Sequence, residues 1–163
     1  MKKILIFSLL LLASCGFQLR GQITLPAHLK CYVATDSASS DMGALIQQRL
    51  ADQNIVVVEK SEQAQVVLYL TEEAVERRVL SVSALSGKQE EVELNHRIDL
   101  EIKDQKGALL DKQHISLLRD FSFDATAVLA KDAEENILYQ ELKQEVAQQI
   151  LRSLTLVVGQ KSP

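Results

Sequence analysis

Between Glu91 and Lys103 the chain alternates residue by residue. Val92, Leu94, Ile98, Leu100 and Ile102 share one parity, while Glu91, Glu93, Asn95, Arg97, Asp99, Glu101 and Lys103 share the other. Successive side chains of a strand point to opposite faces, so this pattern predicts a strand wet on one side and buried on the other. Such one-sided strands belong to antiparallel sheets covered on a single face. Asp104-Gln-Lys-Gly107 reads as a turn. Residues 108–123 return as a second strand, with Leu109, Ile115, Leu117, Phe121 and Phe123 on one parity and Arg119 breaking that apolar side.

The rest of the chain supplies further strands and two helices. Residues 30–35 (KCYVAT) form a short strand, and in the DSASSD stretch Ser39 or Ser40 caps a helix. Met42, Leu45, Ile46 and Leu50 then recur at helical spacing, and Asn54 ends the helix. Residues 55–59 are a strand or the entry to one. Residues 64–70 and 79–85 are apolar enough for strands, with EEAVERR between them ambiguous and a hairpin turn at Ser86-Gly87-Lys88. Near the C-terminus Leu138, Leu142, Val146 and Ile150 form a stripe reinforced by Ala147, Leu151 and Leu154. That helix starts after an Asp124 cap, or a turn or two later at Asp132-x-x-Glu135. The elements predict an α+β fold: two amphipathic helices packed on one face of a mostly antiparallel four-stranded sheet.

The N-terminus follows a different logic. Lys2 and Lys3 precede the apolar run of residues 4–12, which is far shorter than the roughly 20 residues of a membrane span. A positive head, a short apolar core and small residues at a cut describe a secretory signal. Leu12-Ala13-Ser14-Cys15 resembles the bacterial lipoprotein signal, in which the cysteine is diacylated, freed at its N-side and acylated again. The alternative is an ordinary signal with a chance cysteine at the cut. Two or more acyl chains anchor a protein stably where one does not. Gly16, in place of Asp, resembles the sorting signal for release to the outer membrane. The expected organisation is a signal peptide at 1–14, a lipidated tether at 15–29, one domain at 30–158 and a short tail at 159–163.

Charge and composition then narrow the chemistry. The 163-residue chain is formally at −4, and losing the two signal lysines takes it to −6. An acidic chain with few aromatics and no Trp is a poor binder of nucleic acid. An anionic ligand would need a local basic cluster. With Cys15 carrying lipid, Cys31 has no disulfide partner and reads as a small buried hydrophobe rather than a reactive thiol. His28, His96 and His114 lack metal-ligand spacing, and there is no nucleophile elbow or phosphate loop. His96 lies on the Val92 parity and reads as a structural residue at the sheet border. No enzyme activity and no cofactor beyond covalent lipid on Cys15 are expected.

Three stretches carry a resemblance. They are Cys15-Gly-Phe-Gln-Leu-Arg-Gly21 with Leu25-Pro26, Phe121-Ser-Phe123, and Leu129-Ala-Lys-Asp-Ala-Glu134 ahead of the long helix. In this order they resemble the LptE family of lipopolysaccharide-assembly lipoproteins in Gram-negative outer membranes. That resemblance implies two helices on a mostly antiparallel sheet. It also implies a plug inside the LptD β-barrel that helps the barrel to assemble and binds lipopolysaccharide on its way to the outer leaflet. Lys131 stands in the Ala-Lys-Asp stretch that resembles the family's lipopolysaccharide-contacting lysine. The order of turns brings Lys88 toward the same end of the domain, with Arg119 part-way along the strand, so these three form the expected lipid-binding patch. A free periplasm-facing lipoprotein, acting as a lipid-transport accessory or as an inhibitor of a soluble enzyme, is the competing expectation.

Overall fold

The computed structural model describes Leu25, residues 28–85, Gly87, residues 89–122 and residues 128–159, the last with side chains from residue 133 onward. Five strands form one sheet: β1 (Lys30–Thr35), β2 (Val56–Val57), β3 (Val66–Val82), β4 (Gln89–Asp104) and β5 (Leu109–Ser122). Two helices accompany them, α1 (Ser40–Asp52) and α2 (Val128–Gly159), with a 3-10 turn at Ser61–Gln63. The sheet order is β2-β1-β3-β4-β5. β3, β4 and β5 pair antiparallel, whereas β1 runs parallel to both β2 and β3. The two-helix α+β fold is as expected. The sheet has five strands and not four, because the two residues Val56 and Val57 add an edge beside β1.

β4 carries out the alternation of its sequence. Every second residue from Val92 to Ile102 is buried and those between are half-exposed. Both helices lie on the buried face, α1 over β1 and β2, α2 over β4 and β5. Full burial of one such aliphatic side chain is worth about 1.5–3 kcal/mol, so this seam supplies most of the fold's hydrophobic stabilisation. Leu25 and Leu29, which the sequence pattern leaves in a tether, are buried in the main core with Cys31 and Val33. The packed unit therefore begins before residue 30.

Local chemistry sets the ends of α1. Ser39 is the N-cap residue, but its hydroxyl makes no capping bond to the helix. Asn54 takes a left-handed conformation (φ 61), which Asn tolerates better than most residues. The Ile55 and Asn54 N–H groups then donate to the Leu50 and Ala51 carbonyls, closing the helix with an apolar Leu50–Ile55 contact. Gly43 lets α1 approach β1 closely: a Cβ there would lie 2.4 Å from the Thr35 methyl.

The ambiguous EEAVERR segment lies inside β3, which runs unbroken from Val66 to Val82. Its ladder to β4 slips between Thr71 and Ala74, so that Glu72 and Glu73 together stand opposite Ile98. This bulge reverses the parity of the strand. Val66, Leu68 and Leu70 face the helices before it, and Val75, Arg77 and Val79 do so after it, opposite His96, Leu94 and Val92.

Candidate functional site

The bulge requires Glu72 at φ 57, an uncommon conformation for a residue with a side chain. Its backbone donors are met from the β1–α1 connection. Asp36 Oδ2 accepts the Glu72 N–H at 2.9 Å and Ser39 Oγ accepts the Glu73 N–H at 3.2 Å. Asp36 Oδ1 also accepts the Ser39 N–H at 2.8 Å. These donors, the Glu72 N–H first and Ser39 next, hold the Asp36 carboxyl below the usual carboxylate range.

Glu73 is thereby turned into the sheet–helix interface. His96 Nε2 donates to Glu73 Oε1 at 2.9 Å, with both side chains almost closed to solvent. The imidazole stacks on the Tyr139 ring from α2, centroids 6.0 Å apart. Burial, and then the neighbouring Glu73 and Asp41 carboxylates, raise the Tyr139 phenol pKa. His96 is structural, as expected, but it sits in the interior and not at the border, because α2 crosses directly over it. Sequence contains two clues to this node: an acidic pair just after the apolar run Val66–Leu70, and a histidine on an apolar parity. What joins them is a long-range register that no local spacing reveals.

The far end of the domain is where the β3–β4 hairpin, the end of β5 and the start of α2 meet. Val82 pairs with Gln89 across the hairpin, and Glu91 pairs with Ser122. In the connection Gly87 takes φ 67 and donates its N–H to the Ser83 carbonyl at 2.8 Å. Arg77 joins the hairpin to the helix: its Nε lies 3.2 Å from Glu135 and its Nη2 donates to Gln89 at 2.9 Å. Arg78 pairs with Glu93 at 2.8 Å.

The expected site residues fall differently onto this frame. Cys15 and Lys88 lie outside the described residues. Lys131 belongs to the first turn of α2, at the far end, with its side chain outside the described set. Arg119 forms an ion pair with Glu145 of α2. Glu145 is fourteen residues beyond Lys131, or about 20 Å along the helix at 1.5 Å per residue. The chain order therefore brings Lys131 to the hairpin end, while Arg119 is held further down the helix.

The outer face of the sheet is a lattice of ion pairs. Glu101 lies 2.9 Å from Lys103 and 2.8 Å from Lys112, and these two hydrogen bonds hold its carboxyl down to about 2. His114 lies 2.6 Å from Asp99, and Arg97 pairs with Glu76. Lys103 Nζ also sits 4.4 Å above the Tyr69 ring. Such exposed pairs add little stability each, but they leave this face neither strongly basic nor apolar. Cys31 is fully buried, and burial pushes its thiol up to about 12. Among the described residues no His, Cys, Asp and Glu cluster could hold a metal, and no helix is long and apolar enough to cross a membrane.

Comparison with known proteins bears on this frame as a whole. The profile of the family described as Lipopolysaccharide-assembly (LptE) matches residues 30–154. The LPS-assembly lipoprotein LptE of Photorhabdus laumondii is 28% identical over 151 residues, covering 92% of this chain and 82% of that protein. Among solved structures, lipoprotein B of Nitrosomonas europaea superposes with a TM-score of 0.72 at 33% identity, over 86% of this chain and 90% of that one. Rare lipoprotein B of Shewanella oneidensis gives 0.67 at 25% identity, over 77% and 92%. A lipopolysaccharide-assembly family agrees with the expected non-enzymatic role. Because the profile spans all five strands, α1 and most of α2, the chain belongs to the LptE lipopolysaccharide-assembly family.

Proposed function

We propose that this protein is a lipid-anchored lipoprotein of the Gram-negative outer membrane that plugs and helps to assemble an LptD-type β-barrel. In this reading it also binds lipopolysaccharide during delivery to the outer leaflet. The observation that carries the reading is family membership across residues 30–154, joined to a signal-like N-terminus with a cysteine at position 15. Acyl chains on Cys15 supply the membrane anchor. Lys131, at the hairpin end, and Lys88 are the proposed contacts to lipid phosphates. Arg119, paired with Glu145 further down the helix, is the proposed third contact.

Copurification tests the assembly role. Extracted in mild detergent, a plug comes out in one-to-one ratio with a large barrel protein, identified by mass spectrometry. Depletion lowers the amount of folded barrel, because a partner that binds only the folded state stabilises it by mass action. Recovery of the lipoprotein alone, with normal barrel levels after depletion, would establish the free periplasm-facing lipoprotein instead.

A further inference from the structure

Among the described residues the buried interior forms two apolar clusters and not one. The larger holds 21 buried residues, among them Leu68, Leu70, Ile98, Leu100, Val146 and Ile150. The smaller holds four, Val92, Leu94, Phe121 and Leu142, with Leu138 packed at its rim. Leu117 touches both.

What separates them is the Glu73–His96 layer. On the inner row of β4, His96 stands between Leu94 of the small cluster and Ile98 of the large one. His96 Nδ1 and Glu73 Oε2 are buried with no hydrogen-bond partner among the described residues. Unpaired polar atoms weaken cohesion wherever they are buried. At the same level the β3–β4 ladder is broken by the bulge, and Glu72 holds its left-handed conformation. Cover changes there too. α1 packs over β1 and β2, which reach only to the level of Thr35 and Leu70, so among the described residues α2 alone covers the sheet beyond. Val75 and Val79, although on the helix-facing side, stay 39% and 38% exposed.

We propose that the part of the domain beyond this layer opens as one unit while the larger cluster stays folded. The unit comprises Ala74–Val82, Gln89–Asn95, the end of β5 from Ser116 and α2 as far as Leu142. The first half of α2 is its lid. Lifting that lid takes Leu138 and Leu142 off Val92, Leu94 and Phe121, and exposes these beside Val79 in an apolar strip flanked at the level of Leu94 by Arg77 and Arg119. The cause is local: four buried residues, cut off by a polar layer and a broken ladder, hold less cohesion than the large cluster. The inference stands independently of any lipid ligand.

Native-state amide hydrogen exchange on the full chain tests it. Peptides covering residues 74–82, 89–95 and 133–142 are expected to exchange as a group, at least about 100-fold faster than those covering 66–70, 98–102 and 146–154. A single rate class through both parts overturns the proposal. Leu142→Ala, which empties the small cluster, is expected to speed exchange in the first group by roughly 30-fold or more and to leave the second unchanged. Equal acceleration in both groups overturns it as well. Should that variant not fold, the wild-type rates decide alone.

Discussion

Glu73 and His96 face each other at 2.9 Å between the sheet and the long helix, both nearly sealed from solvent. The pair forms only because one extra residue in β3 turns Glu73 inward. Losing one partner leaves the other buried without compensation, which costs far more than the pair contributes. His96→Leu is therefore expected to destabilise by about 3 kcal/mol, through the stranded Glu73 carboxylate. The double variant Glu73→Leu/His96→Leu should cost less than the sum of its two singles, by at least about 1 kcal/mol. Urea denaturation of the four proteins measures this, and strict additivity would show that the residues are not coupled.

Asp36 gives the bulge its pH dependence. Its carboxyl is held low by the Glu72 and Ser39 donors, so its folded pKa lies below the unfolded value of about 3.9. Stability from a depressed carboxyl is present above the unfolded value and is lost as pH falls through the folded one. Asp36→Asn should thus be less stable than wild type at pH 7, with the gap narrowing as pH falls from 4 to 3. Urea midpoints across that range read the effect. Parallel curves for the two proteins would remove Asp36 from the acid transition.

Cys31 is expected to be inert. A thiol whose pKa is pushed to about 12 stays protonated at neutral pH, and the thiolate is the reactive form. In a Cys15→Ser variant, alkylation at pH 8 should be at least 100-fold slower, on the order of magnitude that burial imposes, in native buffer than in denaturant. Equal rates would mean that β1 is exposed in solution.

The proposed lipid contacts are testable by charge reversal. Lys131→Asp, alone or with Lys88→Asp, should lower lipopolysaccharide binding while leaving the circular dichroism spectrum and barrel association intact. Charge-assisted bonds to phosphate weaken as salt rises, so the loss should be largest at low ionic strength. Unchanged binding by the double variant at low salt would move the site elsewhere.

How legible each part was in sequence follows from how local its cause is. The burial of Val92 to Ile102 is written in strict alternation, since β4 has one wet face throughout. Leu142, Val146 and Ile150 were readable for the same reason, as one face of a helix. β3 was readable only at its two ends, as the apolar runs 64–70 and 79–85, because the bulge reverses its parity at Glu72–Glu73 and breaks the period between them. The strand at Val56–Val57 was readable within the β-branched run 55–59, but its parallel pairing with β1 leaves no local trace, since parallel partners meet through a crossover. Lys131 could be brought to the hairpin end by counting turns. The Arg119–Glu145 pair depends on where α2 crosses β5, which counting turns does not give.

The length of β3 has a mechanical consequence. Its seventeen residues span about 50 Å at roughly 3.3 Å per residue. Lys30, where the chain enters the sheet, exchanges hydrogen bonds with Gln65 at one pole, while Val82 and Gln89 close the hairpin at the other. Under the proposed anchoring through Cys15, the hairpin tip stands at the pole opposite the end where the chain enters the sheet. Shortening the hairpin by two residues on each strand would preserve every inward and outward facing, yet draw the hairpin tip about 7 Å closer to Lys30.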